Sequence, residues 1–158
     1  MLSLFVFVHG VPWAQTTLPS VSVEGRVDKP LTLYVKDVNA MQQSTVFFKD
    51  FSGHTYSYSG VAVQEILKQA GLSSDREEMK DYYSQYVLAI GADGSESVFS
   101  MAEIDSILSG QRIILANKIN GQPLPEGLGP FRLVVSGEAN RVRWLWEVNR
   151  LVVRYAHD

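Results

Sequence analysis

The chain of 158 residues has no cysteine. That excludes disulfides, zinc–thiolate sites and cysteine nucleophiles. It has three histidines, and no set of histidines and carboxylates shows metal-ligand spacing. There is no long basic run, and the formal net charge of -3 gives no general attraction to nucleic acid. No G-x-S-x-G elbow is present, so Ser57, Ser59 and His54, though near one another, do not define a hydrolase. Lysine and arginine are absent before Arg26, and no internal repeat or low-complexity stretch breaks the chain.

What is present begins with "MLSLFVFVHGVPWAQ", apolar from Leu2 to Val8 and ending in small and polar residues. It is too short to span a bilayer and has the apolar core and end of a secretory signal peptide, without the usual positive start. It predicts export, with removal of residues 1–15 and a single domain over residues 16–158. That length suffices to bury a core.

The rest mixes short strands and helices. Strands are expected at "VSVEGRV", "KPLTLYV", "STVFFKDF" and "PFRLVVSG", with a short helix at "VKDVNAM". "GHTYSYSG" reads as a polar loop or edge strand. "GVAVQEILKQAGL" is the clearest helix, with Gly71 as its cap, followed by the charged link "SSDREEMKDYYS". "QYVLAIGADGSESVFS" reads as a hairpin turning at Asp93-Gly94, and "MAEIDSILSG" as a helix ended by Gly110. "RIILANKINGQPLP" is a strand running into an Asn120-Gly121 turn, and "VRWLWEVNRLVVRY" a strand pair or one bent strand. Without regular strand–helix alternation, this is an α+β domain with a mixed, mainly antiparallel, barrel-like sheet.

Five blocks in order carry a resemblance: "VEGRVDKPLTLYVKDV", "YSGVAVQEILKQAGL", "VLAIGADGSESVFSMAEI", "ILANKINGQPLPEGLGPFRLVVSG" and "RVRWLWEVNRLVV". Together they resemble the molybdopterin-binding domain of the sulfite oxidase family, from Val21 to Tyr155. The resemblance implies that fold and a pterin pocket. Catalytic members hold molybdenum through a cysteine in the strand-loop before the second block's helix. The matching "VFFKDFSGHTYSY" has none, and Asp50 falls near the place. A hard carboxylate is a poor substitute for a thiolate on this metal. The histidine that often precedes the family's "P-L-R" strand is also missing from "EGLGPFR".

In length, leader and lack of cysteine the chain is similar to small periplasmic pterin-binding relatives. These sense a pterin and pass that state to a membrane signalling partner, a cyclic-di-GMP enzyme or a sensor kinase. The resemblance therefore implies a periplasmic, non-catalytic pterin binder without metal, with molybdopterin itself the lesser expectation as ligand. A molybdopterin-dependent oxidoreductase is the alternative, and a purely structural interaction module a third reading.

The site is expected around "FRLVVSGEANRVRW". Arg132 and Arg143, and to a smaller degree Arg141, present planar forks suited to an anion or a pterin edge. Trp144 could stack on the ring, sharing a face with Trp146 if the segment is a strand. His54 and Tyr56, with Tyr58 on the same face as Tyr56, could line the pocket from the preceding loop.

Overall fold

The structure, a computed structural model, describes residues 18–72 and 79–157. The expected leader at residues 1–15 and much of the charged link lie outside the described residues. The elements are β1 (Ser20–Gly25), β2 (Leu31–Tyr34), α1 (Val35–Ala40), β3 (Ser44–Lys49), β4 (Thr55–Ala62), α2 (Val63–Gln69), α3 (Met79–Tyr83) and β5 (Gln85–Gly91). They continue with β6 (Glu96–Ser100), α4 (Met101–Ile104), α5 (Ser106–Ser109), β7 (Ile113–Ile119), β8 (Gln122–Pro123), β9 (Arg132–Val135) and β10 (Val148–Tyr155).

The strands divide between two sheets. One has the order β2-β1-β10-β5-β6; the other runs β3-β4-β7-β8, with β9 also paired to β7. Only β1 and β10 run parallel among these pairs. The class is thus α+β with mostly antiparallel pairing. In β1 the alternation of "SVSVEG" sends Val21 and Val23 fully inward. Both sheets and α2 contribute to one core, with Val23, Ile66, Phe99, Leu115, Leu133 and Leu151 among its buried members.

Four local expectations change. Thr55 to Gly60 of "GHTYSYSG" belong to β4, an interior strand paired on both sides, because the apolar β7 docks on its far edge. Val61 and Ala62 complete that strand, so the helix starts at Val63. The helix expected over "MAEIDSILSG" is two single turns divided at Asp105. Ser100 and Glu103 form a reciprocal capping box on α4, and the Asp105 carboxylate accepts from the Ile107 and Leu108 amides to start α5. Gly110, at φ 68°, ends it in the left-handed conformation.

Residues 141–147 are not strand. They form an irregular connection stitched to both sheets. The Leu133 amide of β9 donates to the Leu145 carbonyl at 2.9 Å, and the Val148 amide donates to Phe131 at 3.0 Å. On the other side the Ala92 amide donates to the Glu147 carbonyl at 3.0 Å, and Ser97 Oγ donates to the Arg143 carbonyl at 3.2 Å. This seam carries Arg141, Arg143, Trp144 and Trp146.

Candidate site at the seam between the sheets

Arg132 opens β9 opposite Ala116 of β7, and the small partner leaves room for a long side chain within the fold. The residue is only 2% exposed. Its guanidinium carbon lies 3.1 Å from the centroid of Trp146, 5.0 Å from that of Trp144 and 5.1 Å from that of Tyr58. Nη1 donates to the Tyr58 hydroxyl at 2.7 Å, Nε has no hydrogen-bond partner, and among the described residues no carboxylate pairs with it. Burial pushes its pKa down to about 10, opposed by Tyr58 and reinforced by the charge of Arg141. The group stays charged at neutral pH, stabilised by π faces rather than by an anion.

Arg143 turns the other way. It donates from Nε and Nη2 to Glu138 Oε1, at 2.8 and 2.5 Å, and from Nη1 to Glu103 Oε1 at 2.9 Å. Its guanidinium also lies over Phe99, 4.8 Å from the centroid. Glu103 gives its other oxygen to the Ser100 amide, so one carboxylate caps α4 and holds the seam. Partial burial works against the charged forms. Hydrogen bonds and opposite charge outweigh it, so Arg143 is raised and Glu103 lowered from their ordinary values.

Trp144, 5% exposed, meets Phe48 edge-on at 5.2 Å and Tyr58 at 5.5 Å. Arg141, exposed at the surface, stacks over Phe48 at 4.7 Å. Beside them runs a groove of about 250 Å³ lined by Phe47, Phe48, Lys49, Val135, Gly137, Glu138, Ala139 and Trp144. Gly137, at φ 77°, makes the turn that brings Glu138 back to the groove. Two buried polar atoms here have no partner, Trp144 Nε1 and Glu138 Oε2.

The β3–β4 hairpin closes this end of the fold. The Asp50 and Gly53 amides fix its loop at 2.9 and 3.0 Å, and the His54 amide donates to Asp50 Oδ1 at 2.9 Å. Desolvation acts to raise the Asp50 pKa. The His54 amide, the side chains of Ser52 and Tyr56 and the His54 charge outweigh it and hold the carboxylate below its usual value. The Asp50 charge in turn raises Tyr56, while Arg141 acts oppositely. The His54 side chain is 75% exposed, its Nδ1 3.9 Å from Asp50.

Of the six residues expected at the site, Arg132, Arg141, Trp144 and Tyr56 thus form one connected neighbourhood. His54 stands at its outer edge, and Arg143 is turned into a carboxylate pair. Trp144 and Trp146 are both beside Arg132, though not as neighbours on a strand. Phe48 and Glu103 were not anticipated. The capping spacing "SMAE" made Glu103 visible as a helix start, but nothing local shows its second oxygen reaching Arg143, 40 residues away.

The fold class these features define is sulfite oxidase-like. Residues 9–154 match the family described as the oxidoreductase molybdopterin binding domain, and the chain belongs to that family. Among solved structures it is similar to the crystal structure of the sulfane dehydrogenase SoxCD from Paracoccus pantotrophus, with a TM-score of 0.64 and 23% identity. That likeness covers 88% of this chain and 39% of the other, and at this identity it concerns the fold alone. No curated protein matches.

Molybdenum and the pterin must be tested separately against these residues. The chain offers no thiolate, and the Asp50 carboxylate is already engaged by the His54 amide and its loop neighbours. This donor set does not suit molybdenum. A flat heterocycle suits the groove better: Phe48 and Trp144 supply aromatic wall, and Arg141 a cation beside Phe48.

Proposed function

We propose that this domain binds a pterin in the seam groove without molybdenum chemistry, and acts as a sensor or accessory subunit. Trp144 lines the groove directly, and Arg132, Arg141, Arg143, Tyr56 and His54 are proposed to act on the ligand from around it. In this reading Arg132 supports Trp144 from beneath and Arg141 faces the ligand. Arg143 acts at the groove through Glu138. The protein works in the periplasm and reports to the periplasmic domain of a membrane signalling protein, a cyclic-di-GMP enzyme or a sensor kinase. The observation that carries the reading is chemical: the loop where catalytic relatives place their cysteine has no thiolate, and its one carboxylate, Asp50, is engaged within its own turn.

The family match favours a second reading, a molybdopterin-dependent oxidoreductase. One experiment separates them. Protein purified from a cofactor-competent host is analysed for metal, and its released ligand for mass. A pterin with no stoichiometric molybdenum supports the sensor; about one molybdenum per chain overturns it. Intact mass of periplasmic protein lacking residues 1–15 supports export, and retention of Met1 opposes it.

A further inference from the structure

We propose that the free edge of β3 accepts an extended segment of a partner protein as an added strand, and that this segment brings a carboxylate to Arg112. The proposal stands on the strand edge and does not depend on the pterin assignment.

One side of β3 has no neighbouring strand. The hairpin fixes which backbone groups lie on that side. The Asp50 amide donates to the His54 carbonyl, and in an antiparallel ladder every second residue repeats that exchange. Phe48, Val46 and Ser44 therefore face β4, opposite Tyr56, Tyr58 and Gly60. Ser57 fixes the same phase from the far side of β4, because its amide and carbonyl are both bonded to Asn120. Thr45, Phe47 and Lys49 are left with N–H and C=O groups directed outward, at the spacing an extended backbone matches.

Sheets usually blunt such edges. Here β8 is two residues ending at Pro123, and β2 is four residues starting behind Pro30. The edge strand β6 is tied to the seam through Ser97. By contrast β3 has six residues, no proline and an unbroken register, and its Phe47 is 71% exposed.

The charge of the partner follows from the groove beside this strand. Thr45 and Phe47 line a groove of about 480 Å³ together with Gln64, Glu65, Ser106 and Arg112. Gln64 Oε1 accepts from the Ser106 amide and hydroxyl, and Glu65 is paired with Lys68 at 3.0 Å. Among the described residues the Arg112 guanidinium has no ion pair. A strand laid on Thr45 and Phe47 can send a side chain into this groove, and a carboxylate there meets the one cation left unmatched.

The test uses three end-capped heptapeptides that alternate threonine and valine. One has a central glutamate, one a central lysine, and the third is the glutamate peptide with its valines replaced by proline. Amide exchange resolved by NMR reads the edge. In the free protein the Thr45, Phe47 and Lys49 amides should exchange faster than those of Val46 and Phe48. The glutamate peptide should slow the first set alone and bind about tenfold more tightly than the lysine peptide. The proline peptide should not bind. Arg112→Glu should reverse the preference with an unchanged thermal midpoint; if that variant does not fold, the wild-type comparison decides. No protection at millimolar glutamate peptide, or protection spread evenly along β3, overturns the strand addition. Equal binding of the glutamate and lysine peptides overturns the role of Arg112. Outward amides already protected in the free protein and released on dilution give the edge to a second copy of this chain and overturn the partner. Pterin is absent from every arm, so failure here leaves the pterin reading where it stands.

Discussion

The guanidinium of Arg132 lies over the ring of Trp146, its central carbon 3.1 Å from the ring centroid, inside the fold rather than at an ion pair. The expected consequence is structural. Arg132→Ala empties a buried volume and strands the Tyr58 hydroxyl, so urea unfolding should show a loss of about 2–4 kcal/mol. Arg132→Met keeps most of the volume without the buried charge and should lose clearly less. An Arg132→Ala protein as stable as wild type would contradict the packing described.

Arg141 and Arg143 should separate by stability as well as by binding. Arg141→Ala removes an exposed cation over Phe48, so its thermal midpoint should stay near that of wild type while pterin affinity falls about tenfold. Arg143→Ala leaves the carboxylates of Glu138 and Glu103 without their cation, so affinity and stability should fall together. Arg143→Lys should restore only part of either, since an ammonium cannot reproduce the planar contacts. Pterin fluorescence titration with parallel melts reads both. Unchanged affinity in both alanine variants would move the site away from the seam.

Acid stability should depend on Glu103. Its pKa is held below the ordinary 4.5, against the effect of partial burial, by the Ser100 amide, Arg143 and the Ser100 hydroxyl. A carboxylate with a depressed folded pKa stabilises the fold fully above the unfolded value, and the contribution disappears as pH falls through the folded one. The thermal midpoint should therefore drop as pH falls below 4.5, and Glu103→Gln should flatten that acid limb while lowering the midpoint at neutral pH. Parallel acid limbs in the two proteins would count against the Glu103–Arg143 link.

Gly60 is a steric requirement. A Cβ there would lie 2.0 Å from the Leu115 carbonyl oxygen and 2.5 Å from Ala116 Cα, where β4 shifts register against β7. Gly60→Ala should cost about 3 kcal/mol or more, or prevent soluble expression. Gly94→Ala meets no atom within 4 Å and carries only the strain of φ 81°, on the order of 1 kcal/mol. Equal melting curves for the two variants would show that β4 and β7 are not so closely apposed.

Most element positions were legible because they rest on local patterns. Val21 and Val23 alternate inward, Gly110 ends a helix, and Asp93-Gly94 turns a hairpin. The interior placement of β4 was not, since "TYSYS" carries the polar content of an exposed strand and only the non-local pairing with β7 encloses it. The fates of the arginines were hidden for the same reason. Arg132 is buried because Ala116 faces it across the ladder, and Arg143 is drawn aside by a carboxylate on α4. Position in the family's strand pattern placed Arg132, and nearness to Trp144 placed Arg141 and Arg143, in the right part of the chain, but neither ordered their roles.

The connection between β9 and β10 hydrogen-bonds to one sheet through Leu145 and to the other through Glu147 and the Arg143 carbonyl. It works as a splice rather than a loop. Whatever stiffens it narrows the relative motion of both sheets at once, with no change needed in their mean positions. Occupancy of a groove only about 250 Å³ in size can then be felt on faces of the domain that the ligand never touches. Amide exchange slowed in β5 and in β9 alike when the groove is filled would be the signature of that splice.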